Sequence, residues 1–183
     1  MKISAIGASV AVVVASVASA DVTYTFVNQS WNGFEFSSAF GAGTLTGSIT
    51  AVKANATLDA SIGYVYADDL CIYVAYNILD YGGLLQAGGS SNLDATQRHM
   101  WANGGSSAPG TVVSGTRFLF TAISMAANPN AIVWVGNGNA TMGAGTWTGT
   151  ITLVGVELAP VPAPGAVALL GLAGAIGGRR RRA

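Results

Sequence analysis

The fold class of this chain is indicated by the stretch ANATLDASI, residues 54–62. Its apolar side chains occupy every second position: Ala54, Ala56, Leu58, Ala60 and Ile62. A spacing of two places them on one face of a β-strand, whereas a helix would distribute them around its axis. The stretch therefore predicts a strand with one buried face.

Outward from this stretch, the same alternation recurs along the chain. Further runs of this kind are 22–27, 44–52, 70–74, 117–122, 131–135 and 146–156. Glycine, asparagine and serine separate them, as expected for turns between antiparallel strands. About seven strands at this spacing predict an all-β fold, an antiparallel β-sandwich or jelly roll. The single helical turn expected in this region runs from Asp94 to Trp101, with Asp94 as its cap.

The N-terminal end of the chain has a different pattern. Lys2 is followed by an uncharged apolar run from Ile3 to Val17, and then by Ala18-Ser19-Ala20. A short positive region, an apolar helix and an A-x-A site are typical of a secretory signal peptide. Residues 1–20 are therefore predicted to be removed after Ala20, and the mature chain to begin at Asp21.

The C-terminal end has three parts: a proline-containing segment, an apolar run over residues 166–176, and a basic cluster. As a helix, residues 165–178 would rise about 21 Å, which is short against a hydrocarbon core of about 30 Å. By the positive-inside rule, the arginines would stay cytoplasmic and the preceding domain would lie outside. The proline-containing segment consists of Val161, Pro162, Ala163, Pro164 and Gly165. The basic cluster consists of Arg179, Arg180, Arg181 and Arg182.

This tail, residues 159–183, resembles the PEP-CTERM sorting signal of bacterial envelope proteins, which exosortase-type enzymes read. Ala163 stands where that family most often has glutamate. The resemblance implies export through the inner membrane of a Gram-negative-type cell, transient anchoring there, and cleavage near residues 162–164. Delivery to the cell surface or extracellular matrix would follow. The competing interpretation is a simple membrane anchor.

Three segments between the two ends resemble the P-domain jelly roll found beside subtilisin-like proteases. They are residues 68–74, 85–92 and 145–153. The resemblance implies a sandwich architecture and carries no functional assignment.

The charge of the predicted mature region argues against nucleic-acid binding. Its eight carboxylates face only Lys53, Arg98 and Arg117, which gives a net charge near −5. A nucleic-acid partner requires a basic face that displaces counterions. The acidic residues are Asp21, Glu35, Asp59, Asp68, Asp69, Asp80, Asp94 and Glu157.

Residues for catalysis are scarce, so no enzyme activity and no cofactor are predicted. His99 is the only histidine, and no serine lies in a Gly-x-Ser-x-Gly elbow. We interpret His99 as a polar residue on a loop or short helix. Adjacent carboxylates such as Asp68 and Asp69 would point to opposite faces of a strand, so they cannot form the acid–base pair of a glycosidase.

Two further sites have competing interpretations. Asp68 and Asp69 are weak candidates for calcium, since hard oxygen ligands suit that ion, but a solvated turn before a strand is favoured. Cys71, the only cysteine, is interpreted as a small buried or half-buried side chain. An intermolecular disulfide and a lipidated thiol remain alternatives for it.

The tryptophans give the sharpest binding hypothesis. Trp134 and Trp147 lie within predicted strands and are expected in the core. Trp31 and Trp101 lie in polar, loop-like segments, so they are predicted to be exposed and are the candidate glycan contacts.

Together these patterns predict an exported cell-envelope or extracellular-matrix protein. Residues 21–158 would form a non-enzymatic β-sandwich, and the expected partners are an exosortase-type enzyme and, transiently, the inner membrane. The first alternative is a carbohydrate-binding module acting on exopolysaccharide. The second is a hydrolase whose site the sequence does not reveal.

Overall fold

The computed structural model describes residues 21–77, 82–139 and 143–160. Within these ranges it confirms the all-β class, with nine strands and one 3₁₀ turn (Ala67–Asp69), and none of their elements is a helix able to cross a membrane. The predicted signal helix with Ala18 and Ala20, and the sorting tail from Val161 to Arg182, lie outside the described residues. The strands are β1 (Val22–Asn32), β2 (Phe36–Phe40), β3 (Leu45–Ile62), β4 (Leu70–Ala75), β5 (Leu85–Ala87), β6 (Arg98–His99), β7 (Val112–Ser124), β8 (Ile132–Asn137) and β9 (Ala144–Leu158).

The strands form two sheets with the orders β1-β9-β3-β7 and β2-β8-β4-β5-β6. Neighbouring strands are antiparallel, except for the short parallel pair of β5 and β6. The pairing is nested, because β1 pairs with β9, β2 with β8, β3 with β7, and β4 with β5. The first half of the chain therefore pairs antiparallel with the second half, and the resulting strand pairs are divided between the two sheets.

Inward-facing side chains of both sheets meet in one buried cluster, which we call the main core. The alternation predicted for residues 54–62 holds at Ala54, Ala56 and Leu58, all of which are buried there. It fails beyond them, because the register of β3 shifts between Leu58 and Ala60. Such a bulge reverses which side chains face inward. Ile62 is consequently 70% exposed, and the prediction that Ala60 and Ile62 share the core face is wrong.

Strand β4 is buried on both faces, which explains how Cys71 is covered. Leu70, Ile72 and Val74 face the main core, whereas Cys71 and its neighbours on the other face form a second, smaller cluster with Leu93. The buried interpretation of Cys71 is confirmed, because its thiol is free and fully enclosed. Burial raises the pKa of the thiol well above its ordinary value, so the reactive thiolate is disfavoured.

The helical turn predicted for residues 94–101 is absent, and this prediction is wrong. Asp94 adopts a left-handed backbone conformation with a φ of 57°, and the chain then extends into β6. The amide of Gln86 donates to the carbonyl of Gln97, and that of Gly88 donates to the carbonyl of His99, each at 2.8 Å. Pairing with β5 thus satisfies the backbone groups that a helix would have bonded internally.

Both ends of the described chain emerge at the same end of the first sheet. Strand β1 starts at Val22 opposite Leu153, and β9 ends at Leu158 opposite Leu45. We call this the tail end of the domain. The β1–β2 turn, the loop after β3 and the start of β9 lie at the opposite end.

Candidate functional site

Trp31, the first candidate glycan contact, is fully buried, so the predicted exposure is wrong. Strand β1 continues past Phe26 through a bulge at which Asn28 has a φ of 49°. The bulge turns Trp31 inward, where its ring centroid lies 5.8 Å from that of Trp147. Its indole nitrogen donates to Ser37 Oγ at 3.0 Å. Trp31 is therefore a core residue that joins the two sheets.

Trp101, the second candidate, is only 6% exposed and also belongs to the main core. Its indole nitrogen donates to the carbonyl oxygen of Leu70 at 2.8 Å. Gly88, with a φ of +80°, makes room for this arrangement, since a Cβ at that position would clash with the indole and with the Leu70 carbonyl. Trp101 thus offers no ring face to a ligand. Of the other two tryptophans, Trp147 is buried as predicted, and Trp134 packs half-buried against the second cluster.

Asp69 is buried rather than solvated, so the solvated-turn interpretation is wrong for this residue. Its carboxylate accepts hydrogen bonds from the amides of Tyr66 at 2.8 Å and Ser90 at 3.1 Å, and from Asn139 Nδ2 at 2.9 Å. These donors come from three different loops, which the carboxylate therefore ties together.

Asp68 is half-buried and lies next to the Asp69 carboxylate. Burial and, secondarily, the negative charge of Asp69 raise the pKa of Asp68 above its ordinary value. No group of three or more histidine, cysteine or acidic residues that could hold a metal ion occurs within the described part of the chain.

His99 lies on β6 and is buried, not on a polar loop or helix as predicted. Its ring centroid is 4.6 Å from that of Phe120, with an angle of 35° between the ring planes. Burial and, to a lesser extent, the positive charge of Arg117 lower the pKa of His99, so the imidazole is held neutral. This histidine supports the Phe120 ring rather than acting as an accessible base.

The lowered pKa of His99 predicts a step in the dependence of stability on pH. In the unfolded chain His99 has its ordinary pKa of 6.5, so on acidification it is protonated there before it is protonated in the folded protein. This difference in proton uptake favours unfolding. The free energy of unfolding should therefore fall as the pH drops below 6.5 and level off below the folded-state pKa. Urea midpoints measured at a series of pH values should show this step in the wild type and a flatter profile in His99→Gln. An equally steep profile in that variant would contradict the assignment.

A cleft of about 470 Å³ opens between the edge of the first sheet, at β7, and the segment that leads into β6 on the second sheet. We call it the Phe120 cleft. Its lining combines apolar side chains with uncharged polar ones, and no charged side chain contributes to it. The residues that matter here are Leu84, Thr96, Gln97, Phe120, Ile123 and Asn128.

The cleft forms because β7 leaves its partner strand locally. Ile123 pairs with Ile49 and Phe118 pairs with Ala51, so residues 119–122 face the single residue Thr50. Phe120 lies within this bulge and is 81% exposed. A large aromatic side chain is thereby held on the surface at the rim of a concavity.

The side chain of Gln97 holds the bulge in place. Its Nε2 donates to the Thr121 carbonyl at 2.7 Å, and its Oε1 accepts from the Thr121 amide at 3.0 Å. These two bonds also satisfy the backbone groups of Thr121 on β7, an edge strand of the first sheet. On the far side of the cleft, Asn128 is fixed in a similar way, since its Oδ1 accepts from the Tyr76 hydroxyl at 2.6 Å.

Sequence reasoning missed this site, although part of the signal was present. The run RFLFTA, residues 117–122, was interpreted as a half-buried strand. Alternation places Phe118 and Phe120 on the same face of this strand but does not say whether that face is buried. In the structure both rings point outward, at 76% and 81% exposure.

No family model, curated protein or solved structure matches this chain. Its function is therefore inferred from its own residues.

Proposed function

We propose that the chain is an exported, non-catalytic protein of the cell envelope or extracellular matrix. In this proposal residues 21–158 form the displayed domain, and the two apolar ends serve trafficking. The ends would be read by a signal peptidase and by an exosortase-type enzyme, with the inner membrane as a transient anchor.

The observation that carries this proposal is that the described strands span the region between the predicted cleavage site and the predicted sorting tail. Strand β1 starts at Val22, just after the predicted cleavage site, and β9 ends at Leu158, just before the predicted sorting tail. These two strands pair with each other over most of the length of β1. The main core is built from residues between Phe26 and Val156.

The position of the tail end fits a domain tethered on one side. Because β9 terminates there at Leu158, a membrane-bound tail would leave the opposite end of the domain directed away from the bilayer. The mature region is acidic, so its electrostatic attraction to an anionic leaflet is weak.

The nested strand pairing also supports the finer fold proposal, a jelly roll. Two antiparallel sheets connected by Greek-key crossings are its defining feature. Here successive strands from β1 to β4 alternate between the two sheets, as do those from β7 to β9. The proposed fold is a binding and display scaffold in many settings, and on its own it assigns no chemistry.

The proposal of a non-catalytic role rests on the state of the reactive groups. The Asp69 carboxylate is engaged by three donors, the Cys71 thiol is enclosed, and the His99 ring packs on Phe120. A nucleophile–base pair needs two such groups within hydrogen-bonding reach of each other in an accessible place.

Replacing Arg179 to Arg182 together by serine is expected to disturb sorting, because the positive charges would no longer hold the end of the tail on the cytoplasmic side. Cell fractionation and surface labelling should show loss of surface or extracellular protein and its accumulation elsewhere. Replacement of the same four residues by lysine is the matched control, and should retain delivery if charge is what matters. Normal delivery of the serine variant would count against the proposal.

A second candidate function, a carbohydrate-binding module, is favoured by the Phe120 cleft. It no longer depends on Trp31 and Trp101, which are buried.

A further inference from the structure

We propose that the Phe120 cleft binds an uncharged polysaccharide, with one sugar ring stacked on the exposed face of Phe120. This inference rests on the proposed function in one respect, namely that an exported protein meets extracellular polysaccharide. It names a binding residue and a ligand class for the display domain.

The first support is the way in which the Phe120 ring is presented. His99 packs against it at a centroid distance of 4.6 Å, while 81% of the side chain remains open to solvent. A ring backed on one side and open on the other is a ready platform for the C–H face of a pyranose. Because the backing restricts the ring before binding, less side-chain entropy is lost when a ligand docks.

The second support is the combination of groups around the ring. Leu84 and Ile123 contribute apolar surface, whereas Thr96 and Asn128 contribute uncharged hydrogen-bonding groups. A sugar has the matching combination, with apolar ring faces and hydroxyl groups around its edge. The volume of about 470 Å³ falls within the usual range of ligand sites, roughly 300–1,000 Å³.

The third support is charge, which selects among polysaccharides. The lining residues carry no charge, and the mature region has a net charge near −5. No cationic side chain of the cleft could pair with a uronate, sulfate or phosphate group, and the overall charge would repel a polyanion. The cleft therefore suits a neutral hexose polymer rather than an acidic one.

The test is a binding titration of the full chain with Arg179 to Arg182 replaced by serine, so that the basic tail does not itself bind an acidic polymer. It is made in micelles of a zwitterionic detergent, since a detergent with a sugar headgroup would compete for the cleft. The probes are neutral polymers (dextran, mannan, galactan and a β-glucan), with alginate as the acidic comparison. At least one neutral polymer should bind, and alginate should not. Phe120→Ala should weaken that binding by about tenfold or more, as expected for a central aromatic contact.

Phe118→Ala is the matched control, because Phe118 is similarly exposed on the same strand and does not line the cleft. It should change the dissociation constant by less than about twofold. Phe120→Leu keeps an apolar side chain without an aromatic face, so it should lose binding nearly as much as the alanine variant. Circular dichroism of each variant verifies that the fold is retained.

Three results would overturn the inference: no binding to any neutral polymer, equal binding by wild type and Phe120→Ala, or tighter binding to alginate. Self-association that disappears in Phe120→Ala, without glycan binding, would instead assign the cleft to a second copy of the chain. The sorting experiment is independent of these results. If the protein reaches the cell surface but binds no neutral polymer, only the polysaccharide inference is overturned. If it binds a neutral polymer but stays in the cytoplasm, only the export proposal is overturned.

Discussion

Replacing Asp69 by alanine is expected to lower the free energy of unfolding by about 3 kcal/mol or more. The substitution leaves the amides of Tyr66 and Ser90 and the side-chain amide of Asn139 without their acceptor, in a site where Asp69 itself is 1% exposed. A buried donor left unsatisfied costs about 1–3 kcal/mol. Only the Asn139 bond is fully buried, so water can partly replace the carboxylate at the Tyr66 and Ser90 amides. Equilibrium unfolding in urea, with the slope compared between variants, measures the loss.

Two variants sharpen this test. Asp69→Asn keeps the shape but exchanges one carboxylate oxygen for a donor, so it should be intermediate in stability. Asp68→Asn alters the neighbouring carboxyl, whose raised pKa shows that its charged form is disfavoured in the folded protein. It should therefore be neutral or slightly stabilising at pH 7. If Asp69→Ala and Asp68→Asn had equally small effects, Asp69 would not be the residue that holds the loops together.

Replacing Trp31 by alanine is expected to cost about 3–5 kcal/mol of unfolding free energy. The side chain is fully enclosed, its ring packs on Phe26 at 5.6 Å and on Trp147 at 5.8 Å, and its nitrogen is bonded to Ser37. Removal would create a cavity at the junction of the two sheets and leave the Ser37 hydroxyl without this partner. Thermal or urea denaturation of the variant should show a large drop in midpoint.

The control for Trp31 is Phe118→Ala, which removes an aromatic side chain that is 76% exposed and should cost less than about 1 kcal/mol. This pair of variants separates a core tryptophan from an exposed aromatic side chain. A Trp31→Ala protein that kept its stability but lost polysaccharide binding would restore the original glycan-contact hypothesis.

The fold class was predictable because alternation is a local property of the sequence. Ala54, Ala56 and Leu58 are buried as their spacing requires. The spacing does not reveal bulges, and each bulge reverses the faces beyond it. For this reason Ile62 was assigned wrongly. Trp31 was assigned wrongly for another reason, since its polar neighbours indicated a loop where β1 in fact continues to Asn32.

The short strands β2, β5 and β6 were missed because tertiary pairing, not local pattern, extends their backbone. Strand β6 has two residues and depends on pairing with β5. The loop contacts are equally non-local, since Asp69 and Asn139 are 70 positions apart. A single sequence offers no means of pairing such residues.

The candidate site was hidden for the same reason. The cleft beside Phe120 depends on a bulge in which β7 departs from β3 and on the bonds from the Gln97 side chain to Thr121. Alternation alone predicts that Phe118 and Phe120 share a face, but it does not predict which sheet edge they reach.

The most direct test of the central claim, that the apolar ends serve trafficking and residues 21–158 form the working domain, is terminal mapping. Protein recovered from the producing cells should be analysed by intact mass and by N- and C-terminal sequencing. The account predicts an N-terminus at Asp21 and a C-terminus near residues 162–164, in protein from the envelope or the medium. A cytosolic protein that retains both Met1 and Ala183 would contradict it.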